Sequence, residues 1–175
     1  VSAYSVFANH GIRTAAMFVS RIEDNEGNVI ASFQPRMNEV ISAESANKML
    51  VLLRGVVDGG TAGRLRYKYH LEGEIGGKTG TTNKNSDAWF IGFTPQLVTG
   101  IWVGGENRDI HFDNMAMGQG ATMALPIWAY YMKKVYRDRA LGYNNKVSFG
   151  LPKGFDPCPK LDTDNTAYQI DEVYE

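Results

Sequence analysis

The chain has 175 residues, a formal net charge of -1, 43% hydrophobic residues and 21% charged residues. These values suit one globular domain, or a large piece of a bigger domain. They exclude the basic footprint of a nucleic-acid-binding protein and a polybasic membrane patch, and no apolar run is long enough to span a membrane. Because Cys158 is the single cysteine, the sequence also excludes a disulfide framework and a cysteine metal site.

The first half of the chain predicts a helix, a hairpin and a second helix. Residues 2–10 have helix-compatible composition, with Gly11 as the stop, and residues 15–33 predict two strands around an Asp-Asn-Glu-Gly-Asn turn. Ser42 is a candidate N-cap for a helix that ends at a Gly-Gly pair. The apolar positions that recur at helical spacing along this helix, and that we expect to be buried, are 46, 49, 50, 52, 53, 56 and 57.

The second half predicts three strands and a final helix. A basic, irregular connector over 61–75 leads into the glycine-rich strand "EIGGKTGTT". The segments "DAWFIGFT" and "LVTGIWVGG" are aromatic and β-branched, and the short turn between them predicts an antiparallel pair. After a loop over 105–120, "MALPIWAYYMKKVYRDR" predicts a helix that Pro126 opens or kinks. From Gly142 on the chain is polar, and we expect a loosely held tail.

The stretch from Gly76 to Thr82 sets one lysine and three hydroxyls among glycines, a composition suited to binding an anion. A nucleotide phosphate loop, G-x-x-x-x-G-K-[ST], requires glycine at position 72, where this sequence has glutamate. It also requires a helix directly after the lysine, and Thr-Gly-Thr-Thr-Asn is a poor helix former. The nucleotide interpretation is therefore disfavoured.

A strand explains the same stretch better. Side chains alternate along a strand, so Lys78 and Gly80 share one face while Thr79 and Thr81 share the other. A lysine and hydroxyls can bind a C-terminal carboxylate, and a backbone N–H near Thr81 can point at a developing oxyanion. Glycine lets another backbone approach, for pairing along the strand edge, and we interpret in this way the glycines at positions 76, 77 and 80.

K-T-G belongs, with S-x-x-K and S-D-N, to the motif set of penicillin-binding proteins and serine β-lactamases. Its continuation here, "TTN…DAWF" with the "GFTP" turn, the "GIWVGG" strand and the "PIW" helix, is more specific than K-T-G alone. On these motifs the sequence from about Ser2 to about Asp138 resembles the C-terminal half of the transpeptidase domain of class A, bifunctional penicillin-binding proteins. The resemblance implies an α/β (α+β) fold, an antiparallel sheet flanked by helices, with the Lys78 strand lining the active-site cleft.

The resemblance implies a peptidoglycan cross-linking D,D-transpeptidase that works through an acyl-serine and is a target of β-lactams. The implied catalytic residues are Lys78 and Thr81, the latter through a backbone N–H in the oxyanion hole. The implied binding residues, for a stem peptide that ends in D-Ala-D-Ala, are Lys78, Thr79, Gly80, Thr81 and Thr82. The resemblance implies no metal and no organic cofactor.

By the same resemblance, the nucleophile lies outside this chain. The family's S-x-x-K serine and S-x-N motif lie upstream of K-T-G, so we expect this chain alone to be inactive. The segment "SANK", Ser45 to Lys48, fits S-x-x-K. Helix geometry, however, puts Lys48 about 130° from the apolar stripe, on the solvent side, whereas a lysine that activates a serine should be buried. We therefore expect this match to be fortuitous.

The implied partners are peptidoglycan stem peptides, β-lactams and the upstream segment. The implied location is extracytoplasmic, periplasmic or on the outer face of the cytoplasmic membrane, with the membrane contact made by an anchor outside this chain. We divide the chain into residues 1–141, the C-terminal half of the domain, and 142–175, a polar tail. The alternative function is a non-catalytic peptide-binding or scaffold module that retains the K-T-G strand.

Several other features are expected to be structural. The three histidines lack metal-ligand spacing, and the polar cluster over 106–113 is expected to be a solvated loop, with a metal site as the alternative. In a strand, Arg64, Arg66 and Lys68 would share one face, either as a solvated edge or as a contact with glycan or peptide.

Aromatic and turn residues near the motif are also expected to be structural. We expect Trp89 to lie in the core and Asp87 to cap a turn, and we expect Trp128 and the tyrosines of the last helix to pack on the sheet. The turn before the K-T-G strand usually reads G-T-G in the family and here reads Gly60-Thr61-Ala62-Gly63. We do not expect this departure to affect the chemistry.

Overall fold

The computed structural model describes residues 1–158. The elements of the first half are α1 (Ser2–Ala8), β1 (Ile12–Thr14), β2 (Arg21–Glu23), β3 (Val29–Ser32), β4 (Met37–Glu39), α2 (Ala43–Asp58) and α3 (Arg64–Tyr67). Those of the second half are β5 (Gly76–Thr81), β6 (Asp87–Phe93), β7 (Val98–Gly104), α4 (Met115–Gly118) and α5 (Ala124–Arg137). Single turns of 3-10 helix lie at Asn83–Asn85 and Arg139–Leu141.

An antiparallel sheet of order β5-β6-β7 forms the centre of the structure. The predicted pairing of the second and third strands is confirmed, with Phe93 opposite Val98 at the turn. The hydroxyl of Thr94 closes this turn, because it accepts hydrogen bonds from the N–H groups of Gln96 and Leu97 at 3.3 and 3.2 Å. The predicted class, a mixed fold with helices around an antiparallel sheet, is also confirmed.

The final helix, α5, covers one face of this sheet. Trp128 is fully buried against Phe90, with 5.5 Å between the ring centroids, and its indole N–H donates to the carbonyl of Gly92 at 3.2 Å. Pro126 is the third residue of α5, within the first turn, where its missing N–H has no intrahelical partner to lose. Tyr130 and Tyr131 are exposed, so the expectation that the tyrosines of this helix pack on the sheet is wrong for these two. Tyr136 is partly buried against the core.

The long helix α2 begins and ends as predicted. The hydroxyl of Ser42 accepts a hydrogen bond from the N–H of Ser45, and Gly59 is the C-cap. Within the predicted apolar stripe, Met49 and Leu52 are 39% and 61% exposed, so their predicted burial is wrong. The helical period identifies which positions are apolar, but it does not show which of them are buried. Within the described residues, only part of the apolar stripe is packed against other elements. The buried residues of α2 are Ala46, Asn47, Leu50, Leu53 and Val57.

The segment after α5 is held more firmly than predicted. Phe149 is buried and packs edge-on against Phe93, with 5.8 Å between ring centroids. Its N–H donates to the carboxylate of Glu74 at 2.7 Å, and Glu74 also lies 3.3 Å from Arg54. The expected loose tail is therefore wrong at Phe149. Residues 159–175 lie outside the described residues, and the division of the chain at residue 141 stays a prediction.

Three local predictions need correction. The hairpin of β2 and β3 begins at Arg21 rather than at residue 15, and the short helix α4 interrupts the predicted loop. The basic connector contains α3, so its cations do not share a strand face. Instead, Arg66 pairs with Asp58 at 2.7 Å. Among the helices of residues 1–158, none combines the length and the apolar character needed to cross a membrane.

Candidate active site

The K-T-G-T segment forms β5, at an edge of the central sheet. Lys78 lies opposite Ile91 and Gly80 opposite Trp89, so these four residues share one face of the sheet. Thr79 and Thr81 therefore belong to the other face. The alternation predicted from the sequence is confirmed.

The open side of β5 presents main-chain groups of the two motif threonines. Thr82 directly follows β5, and its N–H donates to the carbonyl of Asp87, the first residue of β6, at 3.1 Å. The N–H of Thr82 therefore points toward β6. Since this direction alternates from residue to residue along antiparallel strands, the N–H and C=O of Thr79 and Thr81 point away from β6. The side chain of Lys78 reaches the same edge, because its ammonium donates to the carbonyl of Thr79 at 2.8 Å. The edge thus combines a positive charge with an outward N–H.

The hydroxyls of the motif threonines contact two turns that are distant in sequence. Thr79 Oγ1 lies 2.9 Å from the hydroxyl of Thr61, and Thr81 Oγ1 accepts from the N–H of Gly120 at 3.0 Å. The turn at Thr61 therefore contacts the motif strand. The expectation that its departure from G-T-G leaves the chemistry unaffected stays a prediction. Sequence reasoning missed Gly120 entirely. An added Cβ at Gly120 would lie 2.6 Å from the carbonyl oxygen of Gly80, so only glycine fits this close approach.

Thr82 is engaged in the turn that follows the motif. Its hydroxyl accepts from the N–H of Asp87 at 2.9 Å and lies 3.1 Å from the Asp87 carboxylate. That carboxylate also accepts from the indole N–H of Trp102 at 3.0 Å and from the hydroxyl of Ser86 at 3.1 Å. These hydrogen bonds, the Trp102 bond first, lower the pKa of Asp87 below its ordinary value of 3.8. Asp87 therefore has the structural role that its position in the sequence predicted.

Two motif glycines serve packing rather than access. A Cβ at Gly76 would meet the ring of Phe93, and one at Gly77 would lie 2.9 Å from the ring of Phe90. Our interpretation of these two glycines as room for an incoming backbone is therefore wrong. At Gly80, by contrast, an added Cβ would meet only the Cβ of Trp89, at 3.3 Å.

Trp89 is 44% exposed, so its predicted place in the core is wrong. It stands beside Trp102, which is 48% exposed, with 6.4 Å between ring centroids. Both lie on the sheet face that carries Lys78, since Trp89 and Trp102 are cross-strand partners. Apolar composition predicted burial, but the described residues leave this part of the face open.

The S-x-x-K match in α2 has the wrong surroundings for a nucleophile. Ser45 is exposed, and its hydroxyl accepts from that of Ser42 at 3.0 Å. Lys48 pairs with Glu44 at 2.6 Å, and this hydrogen-bonded ion pair raises the pKa of Lys48. A base that takes a proton from serine needs the opposite shift. The expectation that this match is fortuitous is therefore supported.

No group of three or more His, Cys, Asp or Glu side chains within residues 1–158 has the arrangement of a metal site. Within the polar loop over 106–113, neighbouring residues form hydrogen bonds with one another. The N–H of Asp109, for example, donates to the side-chain oxygen of Asn107 at 3.2 Å.

The profile of the family described as "Penicillin binding protein transpeptidase domain" matches residues 1–121. The chain belongs to this family, and the resemblance inferred from the K-T-G motif and its continuation is confirmed. Penicillin-binding protein 1A of Aquifex aeolicus (strain VF5) is 40% identical over 136 residues, which are 78% of this chain and 18% of that protein. Penicillin-binding protein 1A of Neisseria lactamica is 38% identical over 162 residues, 87% of this chain and 19% of that protein.

Solved structures agree with the family assignment. The crystal structure of penicillin-binding protein 1A from Haemophilus influenzae matches with a TM-score of 0.71 and 27% identity, covering 84% of this chain and 27% of that one. The imipenem acyl-enzyme complex of penicillin-binding protein A from M. tuberculosis matches with a TM-score of 0.59 and 22% identity, which shows the fold alone. The chain spans less than a fifth of the length of the two curated relatives.

Proposed function

We propose that this chain forms the K-T-G half of the active site of a peptidoglycan cross-linking D,D-transpeptidase. The observation that carries the proposal is the open edge of β5. There the Lys78 ammonium lies 2.8 Å from the Thr79 carbonyl, beside the outward N–H of Thr81. This edge offers a cation and a main-chain donor, which suit a carboxylate and an oxyanion respectively.

The proposed substrate is a stem peptide that ends in D-Ala-D-Ala. Lys78 and the hydroxyls of Thr79 and Thr81 bind its terminal carboxylate, while Gly80 leaves room for the peptide along the strand. The hydroxyl of Thr82 maintains the turn that follows the motif, through Asp87. We therefore propose that Thr82 shapes the end of the strand, in place of the substrate-binding role expected from the sequence.

The proposed chemistry is acyl transfer through a serine that lies upstream of Val1. The serine oxygen attacks the carbonyl of the penultimate D-Ala, and the N–H of Thr81 stabilises the oxyanion of the tetrahedral intermediate. The proton that the serine hydroxyl gives up passes to the nitrogen of the terminal D-Ala, which leaves as a free amine, and an acyl-serine remains. The amine of a neighbouring stem peptide then attacks the acyl-serine, forming the cross-link and releasing the serine. A β-lactam mimics the donor and remains attached at the acyl stage.

The exposed apolar residues support the proposal that further sequence completes the domain. Trp89 and Trp102 lie on the face that carries Lys78, and Leu52 is exposed on α2. A segment with the S-x-x-K and S-x-N motifs, packed on the Lys78 face, would bury the two tryptophans next to the motif strand. In this proposal the transpeptidase domain is extracytoplasmic, in the periplasm or on the outer face of the cytoplasmic membrane, and a segment outside this chain anchors the protein.

Labelling with a fluorescent penicillin tests the proposed function. The complete protein is expected to label covalently, and residues 1–175 alone are not. The variant Lys78→Ala removes a charged hydrogen-bond partner of the carboxylate and should lower the acylation rate about 10- to 100-fold. Lys146→Ala, at an exposed position after α5, is the matched control and should acylate like the native protein. Absence of labelling in the complete protein would favour a non-catalytic peptide-binding or scaffold module instead.

A further inference from the structure

The two threonine hydroxyls of β5 carry a further inference, which rests on the proposed function. An amide N–H can only donate, so Thr81 Oγ1 acts as acceptor in its 3.0 Å contact with Gly120. The proton of the Thr81 hydroxyl is therefore not used in that contact. A hydroxyl fixed in this way is ready to donate to an anion beside the strand.

The second hydroxyl has a partner that can do the same. Thr79 Oγ1 and Thr61 Oγ1 lie 2.9 Å apart, and either oxygen can be the donor. If Thr61 donates, Thr79 also keeps its own proton for a bound anion. A carboxylate favours this arrangement, because a carboxylate accepts hydrogen bonds and cannot supply one.

Thr61 and Gly120, the partners of the two hydroxyls, lie in segments that contact each other. Arg64 donates to the carbonyl of Ala121 at 3.3 Å and so joins the turn that carries Thr61 to the segment that carries Gly120. Both contacts lie on the threonine face of β5. The turn after α2 is thus part of the support of the motif strand, although it is about 18 residues away in sequence.

We propose that Thr61 is a positioning residue for recognition of the substrate carboxylate. Its hydroxyl donates to Thr79 Oγ1 and directs the Thr79 proton to the carboxylate. Thr61 acts through Thr79 and does not touch the reacting atoms.

The test compares two β-lactams in the complete protein: benzylpenicillin, which has the carboxylate, and its methyl ester, which lacks the charge. Thr61→Val removes the hydroxyl at nearly constant shape and should lower the ratio of the two acylation rates about fivefold, whereas Thr61→Ser should preserve it. Because both rates scale with the folded fraction, partial unfolding leaves their ratio unchanged. If Thr61→Val gives no active protein, the ratio for Thr61→Ala decides in its place.

Two further variants sharpen the result. In a Thr79→Val background, Thr61→Val should have no additional effect on the ratio, as expected for residues that act through one contact. Thr99→Val, on the far edge strand β7, is the matched control and should keep the native ratio. An equal loss with both compounds, or an unchanged ratio in Thr61→Val, overturns the role of Thr61. Failure of the native protein to acylate at all would instead overturn the proposed function.

Discussion

At the scale of single residues, Asp87 connects the end of the motif strand to the neighbouring strands. Its carboxylate is bound by the indole of Trp102 and by the hydroxyls of Ser86 and Thr82. These donors favour the charged form and lower its pKa. A group whose folded pKa is lowered stabilises the fold above its unfolded pKa and loses that effect as the pH falls through the folded value.

Asp87→Asn is therefore expected to have a pH-dependent effect on stability. The variant lacks the charge at every pH, so its free energy of unfolding should be lower than that of the native chain at pH 7. The difference should narrow as the pH falls below about 3.8. Urea unfolding followed by tryptophan fluorescence measures it. Asp113→Asn, at an exposed position, is the control, and a gap for Asp87→Asn that is constant with pH would contradict the prediction.

At the scale of elements, the close approach of Gly120 to β5 can be tested directly. Gly120→Ala sets a methyl group against the carbonyls of Trp89 and Gly80, and should cost about 1–3 kcal/mol of unfolding free energy, as overpacking does. Gly55→Ala is the matched control, because Gly55 is exposed in the last turn of α2. Apart from its chain neighbours and the backbone of its own helix, nothing lies within 4 Å of the added Cβ. This substitution should stabilise the chain by about 0.5–1 kcal/mol. Equal effects of the two substitutions would show that the close contact is not maintained.

The same elements show what could be predicted from the sequence. The strands β5 to β7, the cap at Ser42 and the alternation along the motif follow from local patterns, and these predictions are confirmed. The partners of the motif hydroxyls, Thr61 and Gly120, could not be found in this way, because tertiary packing brings together turns from separate parts of the chain. The sequence does contain a hint of the Thr61 contact, a Gly-Thr pair directly after a helix. Only the folded structure shows that this pair lies next to β5.

Burial was the least predictable property. Trp89, Met49 and Leu52 have the composition and period of core residues, yet they are exposed in the described part of the chain. A hydrophobic pattern indicates that a position is suited to burial, and it does not say which segment covers it. Phe149 shows the opposite error. The polar sequence around it predicted a loosely held tail, whereas its side chain is buried.

At the scale of the whole molecule, the buried side chain of Phe149 packs the segment after α5 against the core. It packs with Leu50, Leu53 and Phe93, close to the start of the motif strand. Phe149→Ala should therefore lower the unfolding free energy by about 3–5 kcal/mol. Leu141→Ala, at a position that is 51% exposed, should change it by less than about 0.5 kcal/mol. Thermal or urea unfolding measures both, and a similar small change in the two variants would show that the segment is loosely held.

The central claim is that this chain supplies the carboxylate and oxyanion side of a site whose serine lies elsewhere in the protein. Mass spectrometry of peptides from the complete protein, after reaction with benzylpenicillin, tests it most directly. We predict a single acylated serine upstream of Val1, with labelling that is strongly reduced in Lys78→Ala. An adduct on Ser45, or acylation that does not depend on Lys78, would contradict this account.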